Sequence, residues 1–80
     1  MNTTNKANFK FVNPQETVDL YLDNGKVIRG PRRAPVGKFL ALLKDTINAP
    51  IVGAIVNGEL RELTYPIEMD AKVRPVTMTF

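Results

Sequence analysis

Three residue types that carry much of enzyme chemistry are missing from the 80-residue sequence: cysteine, histidine and serine. Without cysteine there is no disulfide, no thiolate nucleophile and no cysteine-based zinc site. Without histidine the chain lacks the commonest general base near neutral pH and the commonest metal ligand. Without serine a common hydroxyl nucleophile is missing as well. We therefore expect no catalytic residue, no metal site and no cofactor in this chain.

Long hydrophobic runs are missing too. The longest, residues 51–56, is far shorter than the roughly 20 residues that span a bilayer. The first eight residues lack the apolar core of a signal peptide. The absence of cysteine agrees with a reducing compartment. We expect a cytoplasmic protein that does not bind a membrane.

The length allows a single domain. Hydrophobic residues make up 44% and charged residues 24% of the chain, which are values typical of a globular protein. Residues 1–15 are rich in Asn, Thr and Lys and are predicted to be a mobile leader. Its apolar patch, residues 9–12, could add an edge strand or touch a neighbour, although a plain leader is favoured. Residues 16–78 are predicted to form the folded domain.

The first half of the domain predicts a hairpin followed by a helix. Residues 17–22 alternate between polar and apolar, as in a half-buried strand. Residues 23–25, Asp-Asn-Gly, are typical of a tight turn, and residues 26–29 are predicted to return as a second strand. Pro35 can open a helix, which must end before Asn48-Ala49-Pro50. Four apolar residues at positions i, i+3, i+4 and i+7 form the buried face of this helix. They are Val36, Phe39, Leu40 and Leu43.

The second half predicts three more strands. Residues 51–56 are apolar and β-branched, as in an interior strand. Asn57-Gly58 is a strong hairpin signal, and residues 59–63 return with Leu60 and Leu63 directed to the core. A last strand over residues 71–76 contains Pro75, which cannot donate a ladder hydrogen bond.

The sequence predicts only one helix to pack against all of these strands, so the helix should cross a single face of the sheet. The pattern predicts an α+β protein of the β-grasp (ubiquitin-like) class, with a mixed sheet of about five strands and one helix packed across one face.

Residues 50–63 and 65–73 resemble the TGS domain, which occurs in threonyl-tRNA synthetases, some GTPases and alarmone synthetase/hydrolases. The stretch VNGELRELTYPIE, followed by VRPVTM, is similar to the N-terminal TGS-like segment of bacterial uridine kinase-like nucleoside kinases. The resemblance covers residues 16–78. It implies a β-grasp domain whose partner is the P-loop catalytic domain of such a kinase, and it transfers no ligand-contact residue.

The chain itself does not fit a P-loop. In the stretch from Gly30 to Phe39, Arg32 stands where the Walker motif needs its first glycine, and Phe39 stands where it needs Ser or Thr. The acid pairs Glu59 with Glu62 and Glu68 with Asp70 are expected to be solvated surface. We expect no enzymatic activity from this domain alone, even if its parent is a kinase.

Residues 26–44 hold six of the eleven cations and none of the eight acids. The arginines of this basic segment are expected at the strand-to-helix connection, where helix amides would help to hold phosphate and Tyr21 would offer a stacking face for a base. The alternative explanation is that these residues are charged only because they are exposed to solvent and bind no ligand. The candidate RNA- or phosphate-binding residues are Lys26, Arg29, Arg32, Arg33 and Lys38.

Three functions remain open from the sequence. The first is a regulatory or recognition module that contacts a kinase catalytic domain or a small, phosphorylated ligand. The second is an RNA-binding module that uses the basic segment. The third is a fragment of a kinase that cannot bind ATP in the Walker manner by itself.

Overall fold

A computed structural model of the chain describes residues 8–78. Part of the predicted leader, residues 1–7, lies outside the described residues, and residues 9–15 form no helix or strand. No helix within residues 8–78 is long and apolar enough to cross a membrane. In chain order the elements are β1 (Thr17–Tyr21), β2 (Val27–Pro31), α1 (Val36–Leu40), a 3-10 helix (Ala41–Leu43), β3 (Ile51–Val56), β4 (Glu59–Arg61) and β5 (Ala71–Thr77).

The five strands form one mixed sheet in the order β2-β1-β5-β3-β4. β1 and β5 are parallel, and the pairs β1–β2, β3–β5 and β3–β4 are antiparallel. The first and last strands of the domain therefore lie side by side in the middle of the sheet. This topology, with a short helix on one face, is a β-grasp arrangement, and the predicted fold class is confirmed.

The core lies between α1 and one face of the sheet, which we call the inner face. Period-2 alternation sends every second residue of β1, β2 and β5 to it. Leu43 is half-buried against this core, so all four predicted helix residues pack inward. The buried side chains are Val18, Leu20, Leu22, Ile28, Val36, Phe39, Leu40, Ala54, Val56, Ile67, Ala71 and Val73.

The helix is shorter than predicted. Only residues 36–40 are α-helical, and the chain then tightens into the 3-10 helix and ends in turns over residues 44–46. Glycine at position 37 lowers the helix propensity of this short segment. Because α1 is short, it does not cover the inner face as far as the tip of the β1–β2 hairpin.

Pro75 lies inside the sheet rather than at its edge. The Asn57 N–H donates to the Lys72 carbonyl at 2.8 Å, which shows that residue 72 directs its backbone groups toward β3. By alternation, Pro75 directs its nitrogen toward β1. The last β1–β5 pair is Tyr21 with Lys72, so β1 has already separated from β5 at this level. Pro75 therefore removes no hydrogen bond from the sheet, although it has no N–H.

Candidate functional site

The backbone N–H groups at the start of α1, which were predicted to help hold phosphate, are not free to bind a ligand. The Val36 N–H donates to the Tyr65 carbonyl at 2.8 Å, and the Gly37 N–H donates to the Leu63 carbonyl at 2.9 Å. The Arg33 N–H donates to the Ile67 carbonyl at 2.6 Å. These amides are occupied by the segment that follows β4. The expectation that they hold phosphate is therefore wrong, because tertiary contacts use the donors.

The five predicted cations are distributed over several parts of the domain. Arg29 lies in the middle of β2, not at the strand-to-helix connection as predicted, whereas Arg32 and Arg33 follow β2. Lys26 precedes β2, and at about 3.3 Å per residue it lies roughly 20 Å from Arg32 along the strand. Lys38 is exposed on α1. The structure brings Arg32 and Arg33 together but not the five residues as one cluster.

The three arginines of this set already have partners. The Arg29 guanidinium forms a bidentate pair with Asp19, with Nε–Oδ1 at 2.7 Å and Nη2–Oδ2 at 3.0 Å. Hydrogen bonding to Arg29 lowers the pKa of the Asp19 carboxyl, and the same bond raises the pKa of Arg29. Arg32 Nε donates to the Gln15 carbonyl at 2.8 Å, and Arg33 Nε lies 3.8 Å from the Glu68 carboxylate.

Tyr21 does not stand near the start of the helix. It lies opposite Val27 in the β1–β2 register, on the sheet face that points away from α1. We call this the outer face. The expected combination of a stacking tyrosine with helix-terminal amides is therefore wrong, because the sheet itself separates the two.

The outer face offers a more continuous candidate binding surface than the dispersed basic residues do. Three of its apolar side chains are well exposed: Tyr21 by 45%, Val27 by 50% and Leu60 by 68%. Ile55 and Val76 are half-buried beside them. The outer-face residues are Thr17, Asp19, Tyr21, Val27, Arg29, Gly53, Ile55, Leu60, Lys72, Arg74 and Val76.

Leu60 anchors the apolar part of this face, contrary to its predicted place in the core. It lies opposite Ile55 in the β3–β4 register. A Cβ built on Gly53 would lie 3.6 Å from Leu60 Cδ1 and 3.9 Å from Val76 Cβ, so both side chains flank that glycine. Leu63, three residues later and beyond the end of β4, packs against the core as predicted.

Two cations on the outer face have no acidic partner among the described residues. Lys72 and Arg74 alternate along β5, and neither forms an ion pair within residues 8–78. The one acid of the face, Asp19, is held by Arg29. The outer face is therefore apolar toward β4 and positively charged toward its middle.

Two of the acids that the sequence analysis paired have other partners in the structure. Glu59 pairs with Arg61 two residues along the same strand, β4, and Asp70 Oδ1 accepts the Asp19 N–H at 2.8 Å. No group of three or more potential metal ligands occurs within residues 8–78. Asp70 therefore ties the loop before β5 to β1.

A cleft opens where α1 fails to cover the hairpin tip. Its volume is about 540 Å³, and Lys26 and Arg74 stand at its rim. It is bounded by the β1–β2 hairpin, by the 3-10 helix with the turns after it, and by β5. The apolar lining residues are Leu22, Val27, Ile28, Leu42, Leu43, Ile47 and Pro75.

Comparison of the sequence with protein-family models and with curated proteins gave no match. The candidate surfaces therefore rest on the geometry. Sequence reasoning missed the outer face, although alternation in β1 and β5 already indicated which residues would point away from the helix. It missed the cleft because the helix was expected to be longer.

Proposed function

We propose that this chain is a non-catalytic recognition module of the TGS type. It forms the N-terminal domain of a cytoplasmic nucleoside (uridine) kinase-like protein and docks on the catalytic domain of that protein. The resemblance of residues 50–78 to the TGS-like segment of such kinases and the β-grasp fold support this proposal.

The observation that carries the proposal is the uncovered apolar part of the outer face. Leu60, Ile55 and Val76 form a contiguous patch next to Lys72 and Arg74. Exposed apolar patches bordered by polar groups are characteristic of protein interfaces. A partner that places aliphatic side chains on Leu60 and carboxylates near the two cations would be complementary to this face.

The experiment is an amide-shift titration of the ¹⁵N-labelled chain with the catalytic domain of a P-loop uridine kinase from the same genome. We expect shifts centred on β3, β4 and β5, around Leu60 and Val76. The L60D variant should weaken binding at least tenfold, since it puts a charge in the apolar centre of the interface. The matched control is M69D, because Met69 is similarly exposed, by 72%, but lies in a loop.

Two results would contradict the proposal. One is the absence of any shift at millimolar catalytic domain. The other is an equal loss of affinity in L60D and M69D, which would indicate a charge effect without a defined docking surface.

RNA binding by the basic segment stays a second proposal, because Lys26 and Lys38 have no ion-pair partner among the described residues. If these side chains contact phosphates of single-stranded RNA, the logarithm of the association constant falls linearly with the logarithm of the salt concentration. Each lysine that is removed then makes this slope shallower by about 0.7. The measurement is fluorescence anisotropy with a labelled oligouridine, comparing the wild type with K26A/K38A. No binding at low salt would exclude this function.

A further inference from the structure

The outer edge of β2 offers free backbone groups. In the β1–β2 ladder, the Leu22 N–H donates to the Lys26 carbonyl and the Arg32 N–H donates to the Glu16 carbonyl, both at 2.9 Å. These two bonds make the even-numbered β2 residues the hydrogen-bonded partners of β1. The odd-numbered residues therefore point the other way. Val27 and Arg29 direct their N–H and C=O groups away from the sheet, where no described strand pairs with them.

The cleft lies directly beside this edge. Its lining includes Val27 and Ile28 of β2, with Leu42 and Ile47 across from them. A strand that paired with β2 would direct every second side chain to the inner face, next to Ile28, where the cleft is apolar. Backbone pairing combined with a side-chain cleft is the usual arrangement for recognition of an added strand.

The same chain carries a segment suited to this position. Phe9 is 76% exposed, Phe11 is fully exposed and Val12 is 68% exposed. Two phenylalanines this exposed are uncommon in a soluble domain. Because they are two residues apart, both would lie on one face of a strand, while Lys10 and Val12 would lie on the other.

We propose that residues 9–12, the arm, pair with the edge of β2 in a second copy of the chain and insert Phe9 and Phe11 into its cleft. Within residues 8–78, neither the arm nor the outer edge of β2 is paired with a strand. Pro14 favours an extended conformation at Asn13, which is compatible with an arm that pairs as a strand. Arg32 holds the Gln15 and Glu16 carbonyls, so residues 13 and 14, which span up to about 7 Å, join the arm to the folded domain.

The area is sufficient for a stable pair. A buried phenylalanine removes roughly 150–250 Å² from water, so the four of a reciprocal exchange remove about 600–1,000 Å². The surfaces that they cover contribute a similar amount. The sum reaches the roughly 1,200–2,000 Å² of a stable interface, and reciprocal exchange has the twofold symmetry of most homodimers.

The test is sedimentation equilibrium of the full chain from 10 µM to about 1 mM. We expect the wild type to dimerise and F9S/F11S to remain monomeric or to associate at least tenfold more weakly. L42E, which places a charge in the cleft at an exposed position, should weaken the dimer as well. M69S removes an equally exposed apolar side chain elsewhere and should leave the dimer unchanged.

A second measurement locates the contact. In a mixture of ¹³C-labelled and unlabelled chains, intermolecular NOEs should join the ring protons of Phe9 or Phe11 to the Ile28 methyl groups. A wild type that is monomeric at 1 mM overturns the proposal, as does a dimer that persists in F9S/F11S. NOEs between these residues within one monomer would show that the arm folds onto its own β2, which also overturns it.

This dimer is independent of the proposed docking on a kinase. F9S/F11S should still bind the catalytic domain through Leu60, and L60D should still dimerise. Loss of one interaction without the other tells the two proposals apart.

Discussion

The Arg29 guanidinium donates two hydrogen bonds to the Asp19 carboxylate on the outer face, at 2.7 and 3.0 Å, and so joins the middle residues of β1 and β2. The two residues are direct cross-strand partners in the register. The pair fixes the orientation of both side chains and removes the only acid of the outer face from contact with a ligand. It also makes the stability of the domain dependent on pH.

The first prediction concerns that pH dependence. The pKa of Asp19 is lowered by its bond to Arg29, so the folded state favours the charged carboxylate relative to the unfolded state. Its stabilisation is present at neutral pH and is lost as the pH falls below about 4, through the lowered pKa. D19N should therefore be less stable than the wild type at pH 7, and the difference should shrink toward pH 2.5. Thermal unfolding monitored by circular dichroism measures it, and an equal difference at both pH values would contradict the prediction.

The second prediction concerns the close approach of α1 to β2 at Gly30. A Cβ at position 30 would lie 2.5 Å from Cε2 of Phe39, whose ring is buried. G30A should destabilise the domain by about 1–3 kcal/mol, since the buried ring would have to shift to admit the methyl group. Urea unfolding measures the loss. The double variant G30A/F39L should be less destabilised than the sum of the single changes, and strict additivity would argue against this contact.

The third prediction separates two roles of Asn57. Its backbone adopts a positive φ of 50°, and its Oδ1 accepts the Lys72 N–H at 2.9 Å. N57G keeps the turn accessible but loses the side-chain bond, at a cost of about 1 kcal/mol. N57A loses the bond and also strains the turn, which adds about 1–2 kcal/mol. Equal stability of the two variants in urea unfolding would show that the turn conformation does not matter.

The fourth prediction concerns Asp70, which accepts the Asp19 N–H across 51 positions of sequence. β1 and β5 share only two residue pairs, so this bond adds to a short parallel contact. D70A should cost about 1 kcal/mol and should speed amide exchange of Asp19. D23A is the matched control, because no described hydrogen bond involves the Asp23 carboxylate. Unchanged exchange at Asp19 in D70A would contradict the prediction.

Hydrophobic periodicity was sufficient to predict the fold but not the ends of its elements. The stripe of Val36, Phe39 and Leu40 correctly identified the helix, because their spacing places all three on one helical face. Its length was overestimated because the pattern continues through Leu43, although the chain has already tightened into a 3-10 helix there. Leu60 and Leu63 were both expected inside, but residues three apart on a strand face opposite sides, and β4 ends between them.

The basic segment shows where sequence patterning fails for the site. Its charge is a property of the sequence, but the partners of its arginines come from distant residues: Asp19, Gln15 and Glu68. The amides at the start of α1 are used by Leu63 and Tyr65 for the same reason. Composition gives the number of donors in a segment, and it does not show which of them remain free after folding.

The sequence by itself determined the β-grasp elements, their order and the identity of most core residues, because burial follows the local alternation of apolar and polar side chains. Only the tertiary structure decided which surfaces stay open: the outer face around Leu60, the edge of β2 and the cleft beside it. Those depend on strand register, on the point where β1 leaves β5 and on the short reach of α1. Each of these is set by contacts between residues far apart in the chain, which no local pattern contains.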